Sequence, residues 1–354
     1  MTEKAVTITD LLDFTVENDV SDLHISSGLP PMVRISGDIE KIESPVLSAE
    51  DVQKMVDDLT DSENAKEYRE RFLKTGDADL SYQHGDKARF RVNLFRQTRG
   101  PGIICRTIPT KILSLAELKA PASFKTISQQ PRGIVLVTGP TGSGKSTTLA
   151  AMINEINISK KEHILTIEDP VEFVHQPQQS LINQREVGAH TNSFAAALRG
   201  ALREDPDIIL IGEMRDPETI GLALSAAETG HLVFGTLHTS SAAKTIDRVV
   251  DVFPADEQSM IRAMMSESLR AVISQTLLKK VGGGRVAAHE IMIATPPIRN
   301  LIRENKVPQM YSVIQTGMKE GMQTLDQCLK ELVAKNLVAK EEAMRVAVKK
   351  DDFR

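Results

Sequence analysis

Cysteine is nearly missing from this sequence: Cys105 and Cys328 are the two in 354 residues. A pair so far apart excludes a disulfide framework or a four-cysteine zinc site, and it suits a reducing compartment. No run of 18 apolar residues occurs, so nothing in the sequence is built to span a bilayer. Met1 to Asp10 is polar and lacks the apolar core of a signal peptide. A cytoplasmic protein is the expectation, and docking on a membrane complex stays open. There is no basic excess: 43 Lys and Arg stand against 48 Asp and Glu, a net charge of −5. That removes the global electrostatic footprint of a nucleic-acid binder. Internal repeats and low-complexity runs are missing as well. The remainder is a globular composition, 41% hydrophobic and 26% charged, in a chain long enough for two domains.

The most informative stretch is Gly139-Pro140-Thr141-Gly142-Ser143-Gly144-Lys145-Ser146, a G-x-x-x-x-G-K-S phosphate-binding loop. A β-branched run, Gly133 to Thr138, precedes it and predicts a buried parallel strand. Thr147 to Ile153 follows with helical apolar spacing. Glycines let successive N–H groups curl toward one phosphate chain. The helix opening at Lys145 adds the positive end of its dipole. Lys145 is then expected on the β- and γ-phosphates, and the Ser146 hydroxyl on Mg²⁺.

Before the loop, Ile8 to Glu17 has helical spacing, and Asp22 to Ser26 predicts a short strand. Met32 to Ile35 and Ile39 to Ile42 suggest a hairpin around Gly37 and Asp38. Ser48 to Asp51 has the form of a capping box and starts a helix through Val52, Met55 and Leu59. Ala88 to Phe95 alternates, with Phe90, Val92 and Leu94 on one face and Arg89, Arg91 and Asn93 on the other. Gly102 to Ile108 is a further strand and carries Arg106. Residues 1–112 therefore read as a small α+β domain whose sheet presents arginines. Solvent-facing strands often carry arginine, which is the plainer reading. The sharper one, that some reach a phosphate, rests on the P-loop elsewhere in the chain. Residues 113–132 read as a linker with a helix at Leu115 to Leu118.

From residue 133 to 293, strands and helices alternate, implying a parallel sheet covered by helices. His163 to Ile167 ends in Glu168-Asp169-Pro170-Val171-Glu172, at the strand end where such sheets bind ligands. Asp207 to Glu213 is a strand in the Walker B position, with Gly212 where the metal-binding aspartate usually stands. Glu213 is the candidate for polarising the attacking water or holding the metal's water shell. The plainer alternative is an exposed strand-end acid. His231 and His238 sit at the two ends of the next strand, too far apart to share a metal. His238 is on the active-site side and could sense the γ-phosphate; spacing leaves His231 open between that work and a structural hydrogen bond. Gly282-Gly283-Gly284 suggests a flexible connector, followed by a strand at Val286 to Ile293. Residues 294–354 read as a helical tail, with Ile298, Leu301 and Ile302 on one face. Ordinary packing is the default for that face; a role in coupling is the alternative.

Thr166 to Glu172 resembles the Asp box of the secretion-superfamily ATPases. His231 to His238 resembles their His box, and Gly212-Glu213 their atypical Walker B. Ile298-Arg-Asn-Leu-Ile-Arg-Glu304 resembles the AIRNLIRE motif of type IV pilus retraction motors, with Pro297 in place of the first alanine. Proline is tolerated in a first turn, so the helix is expected to begin there. Gly321 to Asp326, Ser21 to His24 and Gly28 to Pro31 extend the likeness over nearly the whole chain. The resemblance implies a PAS-like N-terminal domain, a RecA-like ATPase domain and a helical C-terminal region. It also implies a homohexamer with ATP sites between subunits.

By that resemblance, Gly139 to Ser146, Thr147, Glu168, Asp169 and His231 bind nucleotide, Ser146 holds Mg²⁺, and Glu213 contacts it through water. Glu213, Glu172 and His238 serve catalysis, with Arg91, Arg99 and Arg106 completing a site. Implied partners are other copies of the chain, an inner-membrane pilus platform protein and a paralogous retraction ATPase. Nucleic acid and direct membrane insertion are not among them. The place of work is the cytoplasmic face of the inner membrane. Pilus-assembly and type II secretion motors are the runner-up, but they usually carry a long N-terminal extension and a tetracysteine zinc element that two cysteines cannot make. A non-motor ATP-binding accessory protein is weighed against by Glu213 and the intact loop. A DNA translocase is weighed against by the acidic balance.

Overall fold

Capping sequences and alternating apolar residues set the first elements in a computed structural model of the chain. The structure describes residues 6–18, 20–35, 38–62, 65–108 and 111–353. They form two compact units: residues 1–111 with Pro170–Phe173, and residues 112–169 with 174–354.

The first unit runs α1 (Ile8–Glu17), β1 (Asp22–Ser26), β2 (Met32–Ile35), β3 (Asp38–Lys41), α2 (Ala49–Leu59), α3 (Lys66–Thr75), β4 (Asp77–His84), β5 (Ala88–Gln97) and β6 (Gly100–Ile108). Both α1 and α2 start on capping boxes, Thr7 with Asp10 and Ser48 with Asp51. Each cap contributes about 1 kcal/mol by satisfying amides the helix cannot. The strands form one antiparallel sheet in the order β3-β2-β1-β6-β5-β4. Phe90, Val92 and Leu94 of β5 are fully buried with Phe72, Leu23 and Ile103. Such burial is worth roughly 1.5–3 kcal/mol per side chain, so a one-residue slip of β5 is strongly resisted. That register faces Arg91 with Arg106, and Arg106 with Asp22. β2 and β3 pair as expected; Gly37, at the expected turn, lies outside the described residues.

The second unit runs α4 (Ala122–Ser128), β7 (Gly133–Thr138), α5 (Lys145–Ser159), β8 (His163–Glu168), β9 (Leu181–Glu186), α6 (Phe194–Ala201), β10 (Ile208–Ile211), α7 (Pro217–Glu228), β11 (Leu232–Leu237), α8 (Ala242–Asp251), α9 (Gln258–Ser268), β12 (Leu269–Lys279), β13 (Arg285–Ile293), α10 (Pro296–Arg303), α11 (Met310–Thr316), α12 (Leu325–Ala334) and α13 (Lys340–Val346). Its sheet has the order β13-β12-β7-β11-β10-β8-β9 and is parallel except for the β12–β13 pair. Every residue of β7, β10 and β11 is buried, which is what strands covered on both faces require. Among the described residues no helix is long and apolar enough to cross a membrane.

Two expectations change, and a third point is settled by its plainer reading. The helix of residues 113–132 is α4, not Leu115 to Leu118. There, Ser114 and Glu117 close a single turn, Lys119 turns left-handed at φ 52°, and Pro121 resets the chain. Leu115, Phe124 and Ile127 are buried in the core of the second unit, so this segment packs as part of it. Gly282 to Gly284 is not a loose connector but the tip of the β12–β13 hairpin. All three glycines have positive φ, between 75° and 102°, which a tight turn there demands. β12 itself went unread in the sequence. Finally, Ile298 and Ile302 of α10 are fully buried in the main core, and Leu301 is half-buried against it. Packing therefore accounts for that apolar face. The helix begins at Pro296 and Pro297 behind the N-cap Thr295, as the first-turn tolerance of proline anticipates.

Candidate functional site

β7, β11, β10 and β8 are neighbours and parallel, so their C-terminal ends come together along one edge. The phosphate loop leaves the end of β7. Gly139, Gly142 and Gly144 all have positive φ, at 144°, 77° and 86°. At Gly139 a Cβ would lie 2.2 Å from the Gln275 carbonyl oxygen, so the strand and loop close only around glycine. A Cβ on Gly142 would meet nothing within 4 Å, so there the backbone conformation alone selects glycine. Gly144 is the N-cap of α5, so the first-turn amides of a 15-residue helix open into the loop. Lys145 Nζ donates to the carbonyls of Gly139 (2.9 Å) and Pro140 (3.2 Å), which holds the ammonium across the loop.

The loop fits a phosphate chain. Ser143 is 3% exposed and its Oγ has no hydrogen-bond partner; Thr138 Oγ1 at the loop's base is likewise buried and unpartnered. These are polar atoms for a bound anion and its hydration to satisfy. Among the described residues no three His, Cys, Asp or Glu gather to hold a metal. Mg²⁺ fits such a site, because it is commonly held by substrate phosphates with one or two protein oxygens, and Ser146 follows Lys145 on the first turn of α5.

Glu213 lies just past β10, one strand from β11. Its Oε1 is 3.0 Å from His238 Nε2, and Arg215 grips both carboxylate oxygens at 2.5 Å. Burial pushes the Glu213 pKa up, but the Arg215 hydrogen bonds and charge and the nearby His238 outweigh it and hold the carboxyl below its ordinary value. Glu213 is thus an ionised acceptor with its geometry fixed from two sides. Arg215 was not singled out in the sequence; its spacing two residues past the acid was the available signal. Gly212 explains the missing aspartate of the Walker B pattern. A Cβ there would come within 3.2 Å of Glu168 Cα and the Ile167 carbonyl, a tight approach to the β8 backbone that favours glycine. Thr236 Oγ1 donates to the Gly212 carbonyl and ties β11 to this strand end.

At the end of β8, Glu168 accepts from Thr166 Oγ1 (2.6 Å) and from Gln184 Nε2 (3.2 Å). Asp169 follows and adds to the field that raises the Arg215 pKa, behind the hydrogen bond Arg215 donates to Glu213. Lys145, Ser146, Glu168, Asp169, Glu213 and His238 therefore share one edge of one sheet. His231 does not join them. It precedes β11 at the opposite end, where its carbonyl accepts from Gly133 N and its Nδ1 donates to the Ala226 carbonyl at 2.9 Å. Six strand residues at about 3.3 Å each separate it from His238, so within its own chain it pins the end of α7 to the sheet.

The remaining candidates lie in the first unit. Glu172 is in the Pro170–Phe173 stretch that groups there. Arg106 Nε donates to Asp22 at 2.7 Å while its side chain stays 65% exposed, and Arg91 faces it on β5. Arg99 sits in the β5–β6 turn, where its Nε donates to the Ser27 carbonyl and its Cδ would lie 3.3 Å from a Cβ on Gly28.

The family model described as type II/IV secretion system protein matches residues 7–283, and the chain belongs to that family. Within it, the chain is 62% identical to PilT, the type IV pilus retraction ATPase of Pseudomonas aeruginosa, over 98% of this chain and 99% of that protein. It is also 62% identical to a twitching motility protein of Neisseria gonorrhoeae, over 90% of this chain and 84% of that one. Among solved structures, the pilus retraction motor PilT with bound ADP superposes with a TM-score of 0.90 at 45% identity, covering 98% of both chains. The α/β architecture expected from the sequence is thus the architecture found.

Proposed function

We propose that this chain is an ATPase whose hydrolysis powers retraction of type IV pili. The observation that carries the reading is the end-to-end likeness to the Pseudomonas retraction ATPase, 62% identical across 98% of this chain. The site's chemistry supports it. Gly139 to Ser146, with Thr147 on the first turn of α5, present amides and a lysine to the phosphates of ATP. Ser146 would hold Mg²⁺ arriving with the nucleotide, and the ion would supply charge neutralisation there. Glu213, ionised and held by Arg215 and His238, accepts the hydrogen bond of the attacking water and aims it. His238 beside it is placed to register the state of the γ-phosphate. Glu168 and Asp169 flank the nucleotide at the end of β8; by the family pattern Glu172 serves catalysis, and Arg91, Arg99 and Arg106 supply positive charge to a nucleotide site in the same or an adjacent subunit.

The working form is a homohexamer with sites at subunit boundaries. It acts in the cytoplasm against an inner-membrane platform protein, alongside a paralogous retraction ATPase. Nucleic acid takes no part. Extension and retraction share the same hydrolysis chemistry, so the deciding experiment is cellular. Deleting the gene while imaging pili is expected to leave long-lived, unretracted pili; cells without pili would make the chain an assembly motor instead.

A further inference from the structure

β12 continues past the point where it pairs with β7: Ser274 faces Thr138, and Gln275 and Leu277 beyond it come against the phosphate loop at Gly139 and Gly144. The first of these is Gln275, a polar residue only 3% exposed. Its Nε2 donates to the Ser143 carbonyl at 2.6 Å, and its Oε1 accepts from Thr148 Oγ1 of α5 at 2.8 Å. The Ser143 carbonyl fixes which end of the amide faces the loop, because a carbonyl can only accept and Nε2 is the amide's only donor. Both ends of the loop are fitted around this residue. A Cβ at Gly139 would strike the Gln275 carbonyl oxygen at 2.2 Å, and one at Gly144 would lie 2.8 Å from Nε2.

We infer that Gln275 is a positioning residue that presets the loop for phosphate; this rests on the ATP-binding reading above. In a trans peptide the C=O and the following N–H point in opposite directions. By drawing the Ser143 carbonyl down toward β12, Gln275 turns the Gly144 N–H away from the strand and into the concavity. The loop is then ordered before nucleotide arrives, and the ordering cost does not fall on binding. Gln275 touches no reacting atom, and Glu213 belongs to another strand, so its removal acts on affinity and leaves the hydrolytic step alone.

The test is a set of purified full-length variants assayed for Mg-ATP turnover and Mg-ADP binding. Gln275→Leu keeps the volume and removes the donor, leaving a buried carbonyl unmet. It is expected to raise KM for ATP and Kd for ADP about tenfold, the effect of one unsatisfied buried group, while kcat stays within about twofold. Gln275→Glu sets a carboxylate oxygen against the Ser143 carbonyl and is expected to weaken binding further. Thr148→Val leaves the buried Oε1 unmet and loosens the amide's hold, and is expected to cost about threefold in the same constants. A role confined to stability would lower kcat with the folded fraction and leave KM unchanged, and that result overturns the inference. If Gln275→Leu does not fold, Thr148→Val decides, and an unchanged KM there overturns it equally. Wild-type protein that binds no nucleotide would instead overturn the ATPase reading, which separates the two failures.

Discussion

Replacing Glu213 by glutamine separates binding from chemistry at this site. The carboxylate is ionised at neutral pH, because Arg215 and His238 outweigh the effect of burial on it. Glutamine preserves the shape and one acceptor for Arg215. The lost ion pair is well solvated, since the Arg215 side chain is 76% exposed, so folding should lose less than about 1 kcal/mol. Binding rests on residues 139–146 at a different strand end and should hold within about threefold. A positioned carboxylate acting on the water is worth about 10²–10⁴ in rate, or roughly 3–5 kcal/mol of barrier. Single-turnover phosphate release from preformed Mg-ATP complex reads the chemical step, and equilibrium titration with labelled ADP reads binding. Release slowed at least about a hundredfold with near-normal binding is the expected pair of results. Release at the wild-type rate would refute the assignment and shift it to Glu168 and Asp169 at the neighbouring strand end.

Other consequences can be measured in parallel. Lys145→Ala and Arg106→Ala should each be inactive alone. Mixed assemblies of the two should recover partial ATPase activity if the arginine acts across a subunit boundary; no recovery at any ratio would place Arg106 within its own subunit or in a structural pairing with Asp22. Ile302→Ala should lower stability by roughly 2–4 kcal/mol, because it empties a fully buried core site. Leu301→Ala, half-buried, should cost under about 1.5 kcal/mol, and equal thermal shifts for the two would contradict the burial argument.

Burial also holds the imidazoles of His175 and His289 down to about 4. Unfolding raises both toward 6.5, so the unfolded chain takes up the extra protons. Their contribution, roughly 3 kcal/mol each, is complete above pH 6.5 and drains as pH falls to about 4. Glu290, whose burial raises its pKa, works in the opposite sense and softens the slope. Urea midpoints that stay flat from pH 6.5 to 4.5 would contradict this.

The phosphate loop, the strand before it and the helix after it were legible because local rules fix all three: positive-φ glycines, a β-branched run and a helix N-terminus. The acids at strand ends were legible because parallel sheets place strand ends together. Contacts between distant segments were not. Nothing local to residue 275 announces that it lies under residue 143; the trace is Ser274, Gln275 and Thr276 interrupting the apolar run of β12. Similarly, the reason for Gly212 is the proximity of the β8 backbone, which no pattern in one strand displays. Gly282 to Gly284 carried a real turn signal that was read as looseness, because the strand before it had been missed. His231 matched a family box by position, while its ring serves a carbonyl at the far end of the sheet.

If hydrolysis at this loop drives pilus retraction, silencing Glu213 must leave pili out. In cells lacking the gene, fluorescently labelled pili are followed while either the wild-type chain or the Glu213→Gln chain is expressed at matched levels. The account predicts that the wild type restores retraction and that Glu213→Gln leaves pili extended, although the variant still binds ATP. Normal retraction driven by the Glu213→Gln chain would contradict it.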